Sequence, residues 1–121
     1  MAQAIAFEAA DIVRADVSWK AGVTGTLKTA HLAEAHGLQC EIHCTTMGPM
    51  DIANLHVSCA IRNCEYFELL VPEQPFRFPM KDPYPIDGAG VIHVPESPGL
   101  GVEMDWDAID RACAAHRTSH A

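Results

Sequence analysis

Three short apolar runs in this chain each lead into an acidic or imidazole side chain. Asp16 follows DIVRA, His43 follows QCEI and Glu68 follows EYF. Behind each of the first two comes a glycine-containing loop and then a helical pattern, so strand-like and helix-like segments alternate. The three residues lie 27 and 25 positions apart, close to the ~30 residues per unit of a ~250-residue eight-unit β/α barrel. In such a barrel the residues at the carboxyl ends of the strands line one mouth. Asp16, His43 and Glu68 are therefore expected to converge there.

Around these runs the sequence predicts an ordered series of elements. Ala4–Ala10 reads as the end of a helix leading into a strand at Asp11–Ala15. Thr24 can cap a helix through LKTAHLAEAH that stops at Gly37, a residue that tolerates positive φ. Gln39–His43 is the second strand. Pro49 suits the first turn of the next helix, where Ile52, Leu55, His56, Cys59 and Ala60 form a stripe expected to face a barrel wall. Tyr66–Val71 is the third strand, with Tyr66, Glu68 and Leu70 on its inner face and Glu65, Phe67 and Leu69 on the other. After it comes the proline-rich stretch VPEQPFRFPMKDPYPIDGAG, which rules out a long helix and implies a meander with a turn at Asp87-Gly88. Asp105 is a plausible cap for a terminal helix, DWDAIDRACAAH.

Composition narrows the functional classes. The chain has 121 residues, 49% of them apolar, as expected of one globular domain. Its net charge of −8 argues against nucleic-acid or anionic-membrane binding, which need basic surface. No run approaches the ~20 apolar residues of a membrane span, and the first residues lack a signal-peptide pattern, so a cytoplasmic location is expected. Cys40, Cys44, Cys59, Cys64 and Cys113 are an odd number and read as reduced thiols. Cys40 and Cys44 flank His43, which raises zinc. No second tight ligand pair exists, however, and in a strand Cys40 and His43 would point to opposite faces. Phosphate-loop, dinucleotide, serine-hydrolase and thioredoxin motifs do not occur.

The run DIVRADVSWKAGVTGTLKTAHLAEAHGL, then EIHCTTMGPMDIANLH, and finally VPESPGLGVEMDWDAI resemble the carboxyl-terminal part of the mandelate racemase and acid-sugar dehydratase branch of the enolase superfamily. The resemblance runs from about Ile12 to Ile109. It implies an α/β fold, the C-terminal portion of a modified (β/α)7β TIM-type barrel. Residues 1–75 would form the last β/α units, and residues 76–121 a Pro-rich excursion and terminal helix that would pack on an absent capping domain. The family's earlier strands supply carboxylate ligands to Mg2+, and none of those ligands is expected in this chain.

In the resembled family a His at the position of His43 takes or gives the proton. An Asp at the position of Asp16 holds its tautomer, and a Glu at the position of Glu68 hydrogen-bonds the substrate carboxylate. Glu65 and Glu73 compete for that last role; alternation turns Glu65 outward, and Glu73 follows Pro72 in loop-like sequence. Trp19 and Lys20, in the loop after Asp16, are expected to face substrate. The family usually has two adjacent glycines in that loop, and Ala21 replaces the first. His31, His56, His93, His116 and His120 read as surface or structural residues, Asp51 as a helix-start residue and Asp11 as a strand-entry one.

The resemblance implies a Mg-dependent acid-sugar dehydratase, acting on a sugar-acid or 2-hydroxy-acid carboxylate in a full-length homo-oligomer. A 2-hydroxy-acid racemase of the same branch is the alternative. A catalytically silent truncated fragment is the rival from another class, because an incomplete barrel leaves strand edges and apolar faces uncovered.

Overall fold

The structure is a computed structural model and describes residues 1–44, 48–72, 74–81 and 84–115. Glu73, His116 and His120 lie outside them. The described elements are α1 (Ala2–Ala6), β1 (Ile12–Ala15), α2 (Gly22–Ala35), β2 (Gln39–Ile42), α3 (Pro49–Ala60), α4 (Gln74–Arg77) and α5 (Trp106–Ala112). The strands pair in parallel, with Ile12 opposite Gln39 and Ala15 opposite Ile42. Parallel strands require a crossover, and α2 provides it.

Alternation along the strands sets the two faces of this sheet. Val13, Ala15, Cys40 and Ile42 are buried and share one core with Ala30 and Ala33 of α2 and Val57 of α3. Ile12 and Arg14 are exposed on the other face. The buried side of α2 is Thr26, Thr29, Ala30 and Ala33, all small. Such a face lets the helix lie close on the sheet, and the two threonine hydroxyls donate to the Gly22 and Gly25 carbonyls one turn back.

Helix α2 begins at Gly22, earlier than a cap at Thr24 would place it. The loop after Asp16 turns through two consecutive left-handed residues, Ala21 at φ 60° and Gly22 at φ 72°, and enters the helix directly. A Cβ at Gly25 would sit 1.4 Å from the Lys20 carbonyl oxygen, so the loop can close onto the helix only because that position is bare. At its far end α2 stops as expected. Gly37 is left-handed, its N–H donates to the Glu34 carbonyl, and the Leu38 N–H reaches back to Ala33.

In α3, which starts at Pro49, the buried residues are Asp51, Ile52, Asn54, Leu55 and Val57. Cys59, expected on the stripe, is exposed, as is Ala60, and His56 is half-buried with its Nε2 3.2 Å from the Leu100 carbonyl. The helix is covered on two sides. Val57 packs on the sheet, whereas Ile52 and Leu55 form a second core with Met80 and Tyr84. The proline-rich stretch thus folds back over α3, held by isolated antiparallel bridges Met80–Met104 and Ile86–Ile92. The Asp87 carboxylate accepts from the Ala89 and Val91 N–H groups in the turn, and Asp105 caps α5 through the Ala108 N–H.

The third strand does not form: residues 64–70 belong to no ladder, and the described sheet has two strands. Beyond the backbone bond from the Cys40 N–H to the Asn63 carbonyl, the segment is tied to β2 and the residues after it through side chains. Glu41 accepts from the N–H groups of Glu65 and Tyr66, Gln39 donates to the Glu65 carboxylate, and Glu68 accepts from the Cys44 N–H. The alternation within the segment survives in part, since Phe67 and Leu69 pack on the cores. Tyr66, expected inward, is 75% exposed. Among the described residues no helix is long and apolar enough to cross a membrane.

Candidate active site

Asp16 and His43 stand just beyond the carboxyl ends of the adjacent strands β1 and β2, and the His43 N–H continues the pairing by donating to the Ala15 carbonyl. Parallel pairing in this register brings the two side chains together. His43 Nδ1 is 3.1 Å from Asp16 Oδ2, with the Asp16 side chain wholly buried and that of His43 16% exposed.

The Asp16 carboxylate is held from every side. Its Oδ1 accepts from the Ser18 N–H at 2.7 Å, from the Ser18 hydroxyl at 2.6 Å and from Asn54 Nδ2 at 3.4 Å. Burial alone would push the Asp16 carboxyl up, but the hydrogen bonds from Ser18, His43 and Asn54 outweigh it and hold the carboxyl below its ordinary value. An ionised carboxylate only accepts, so Nδ1 of His43 carries the proton in the pair and Nε2 is the basic nitrogen of the neutral ring. The arrangement has the form of an Asp-oriented imidazole able to take a proton and return it.

Trp19 stacks on the His43 ring, centroids 4.4 Å apart and planes 32° apart, while remaining 65% exposed. It limits the directions in which the imidazole can turn. Lys20 is partly buried in the same loop, and its N–H donates to the Asp16 carbonyl, as does that of Trp19.

Glu68 comes to the site from the segment 64–70 rather than from a strand. Its Oε2 accepts both the Cys44 N–H at 2.9 Å and an Arg14 N–H at 2.7 Å. The glutamate therefore braces the residue after His43 and pairs with a cation of β1. Cys40 and Cys44, which flank His43 in sequence, are buried in the sheet–helix core. Burial pushes the Cys40 thiol up to about 11, and Cys44 is raised further, so both stay protonated thiols at neutral pH. Among the described residues no three His, Cys, Asp or Glu side chains are grouped to hold a metal ion. The two carboxylates at the site, those of Asp16 and Glu68, are each engaged by protein donors.

Arg14, Ser18 and Asn54 were missed by the sequence reading. Ser18 had a signal, since Asp-x-Ser favours an Asx turn closing on the second N–H. Asn54 had a weaker one, a polar residue beside Ile52 and Leu55 in a mainly apolar stretch of helix. Arg14 had only its place on the face of β1 opposite Val13 and Ala15.

A family model described as enolase C-terminal domain-like matches residues 1–108. L-rhamnonate dehydratase of Saccharopolyspora erythraea is 30% identical over 101 residues, which cover 78% of this chain and 25% of that enzyme. The crystal structure of a Pseudovibrio sp. protein assigned to the mandelate racemase/muconate lactonizing enzymes superimposes with a TM-score of 0.87 at 35% identity, over 94% of this chain and 30% of that one. D-glucarate dehydratase from Agrobacterium tumefaciens, complexed with magnesium, does so with a TM-score of 0.75 at 40% identity, over 91% of this chain and 29% of that one. The chain spans about a quarter of the length of the curated relatives it matches.

Proposed function

We infer the function from the premise that the chain belongs to the enolase C-terminal domain-like family. Its relatives include L-rhamnonate and arabinonate dehydratases and a muconate cycloisomerase. The proposed role is the acid/base portion of an acid-sugar dehydratase site. The observation that carries it is the 3.1 Å contact between His43 Nδ1 and the wholly buried Asp16 carboxylate at the ends of adjacent parallel strands.

In the proposed reaction His43 Nε2 takes the proton from the carbon α to the substrate carboxylate, and the C–H electron pair passes into an enediolate. Asp16 stabilises the resulting imidazolium through Nδ1 and keeps the ring aimed. The imidazolium then protonates the departing β-hydroxyl, which leaves as water while the enediolate electrons form the carbon–carbon double bond. One group serves as base and then as acid, so the ring ends the cycle neutral. Trp19 and Lys20 are proposed to face the substrate. Glu68 could hydrogen-bond a substrate carboxylate only with a proton on its carboxyl, because two carboxylates are both acceptors. Magnesium, with which the glucarate relative is complexed, would supply stabilisation for the enediolate's charge.

The test is a hybrid in which this chain replaces the matching portion of the Agrobacterium tumefaciens D-glucarate dehydratase. Incubated with D-glucarate in D2O, the hybrid should exchange the α-hydrogen and lose water. His43→Asn should reduce both by about 10²–10⁴-fold, the usual contribution of a positioned acid/base group. An active hybrid whose His43→Asn variant keeps full exchange and dehydration would refute the role.

A further inference from the structure

Asn54 is a wholly buried amide in α3, and its partners all belong to the ends of the two strands. Its Oδ1 accepts the Val17 N–H at 3.0 Å, and its Nδ2 donates to the His43 carbonyl at 3.1 Å and to Asp16 Oδ1 at 3.4 Å. The orientation of the amide is forced. Val17 offers a donor and His43 an acceptor, so a flipped amide would set N–H against N–H and oxygen against oxygen.

Two consequences follow from these bonds. The end of β1 and the end of β2 are both tied to one side chain, which fixes how far Asp16 stands from His43. With the Ser18 donors, the amide also fills Asp16 Oδ1 and leaves Oδ2 for the imidazole. A carboxylate whose two oxygens are assigned in this way cannot rotate without losing several bonds at once.

We propose that Asn54 is a positioning residue for the Asp16–His43 pair, setting the ring orientation and the tautomer through its bonds to both strand ends. This rests on reading that pair as the acid/base site. Asn63 is the natural control, because it too is a buried asparagine that ties segments together, donating to the Ala30 and Leu38 carbonyls. None of those partners is Asp16 or His43.

The experiment is two-bond ¹H–¹⁵N spectroscopy of the His43 ring in the full ¹⁵N-labelled chain at about pH 8, where an ordinary imidazole is neutral. The wild-type ring should be mainly the Nδ1–H tautomer. Asn54→Ser should move the tautomer ratio about tenfold toward Nε2–H, the scale of one hydrogen bond to a charged group. Asn63→Ser should lower Tm but leave the ratio unchanged. Should Asn54→Ser give no dispersed spectrum, Asn54→Gln, which keeps an uncharged amide but displaces its bonds by one methylene, replaces it in the comparison. A ratio unchanged in the Asn54 variant, or changed equally by Asn63→Ser, overturns the proposal. A wild-type ring that is mainly Nε2–H would instead sink the acid/base reading itself, so the two failures are distinct.

Discussion

Replacing Ala21 by glycine should stabilise this protein. Ala21 lies at φ 60° and ψ 47° in the loop that follows Asp16 and carries Trp19 and Lys20. A left-handed conformation costs a residue with a Cβ about 1–2 kcal/mol relative to its right-handed counterpart. The side chain is exposed, so removing its methyl opens no buried cavity. Against the gain stands the greater freedom of glycine in the unfolded chain, about 0.4–1 kcal/mol. The balance is a net stabilisation of about 0.5–1 kcal/mol, which for a chain of this size is about 2–5 °C in Tm. Urea unfolding followed by far-ultraviolet circular dichroism measures it, with Ala21→Val as the opposite arm, since a β-branched residue fits the left-handed region poorly. A glycine variant no more stable than the wild type, or a valine variant equal to it, would refute the claim that this backbone strains position 21.

Two further perturbations probe the site. Asp16 is held below its ordinary value of 3.8, and such an acid contributes stability that is fully present above its unfolded value and is lost as pH falls through the folded one. Asp16→Asn should therefore cost about 1–3 kcal/mol at neutral pH, with the gap to wild type closing as pH drops below about 4; a gap constant in acid would contradict the assignment. Glu68→Gln keeps an oxygen for the Cys44 N–H and loses only the charge facing Arg14, a pair whose side chains are 48% and 33% exposed. Its stability cost should be under about 1 kcal/mol, and in the hybrid enzyme it should retain more activity than His43→Asn; a cost above about 2 kcal/mol would show that the brace on Cys44 is worth more than an exposed pair.

What the sequence determined by itself was local. The apolar runs before Asp16 and His43, the glycine that ends α2 at Gly37, the proline that opens α3 and the aspartate that caps α5 are each decided by backbone preferences within a few residues. The order and spacing of these elements also made the meeting of Asp16 and His43 readable, because parallel pairing of neighbouring units leaves their carboxyl ends side by side. What only the tertiary structure decided was how polar side chains share partners across the chain. Residues 64–70 have the alternation of a strand, yet the Glu41 carboxylate takes two of the N–H groups a ladder would use, those of Glu65 and Tyr66, and no short-range pattern reveals competition from more than 20 residues away. Glu68 likewise meets partners far away in sequence, Arg14 and the Cys44 N–H. Asn54 lies 38 residues from Asp16, and its amide acquires meaning only when α3 packs over both strand ends, where a buried polar group must find its partners in whatever the fold brings near.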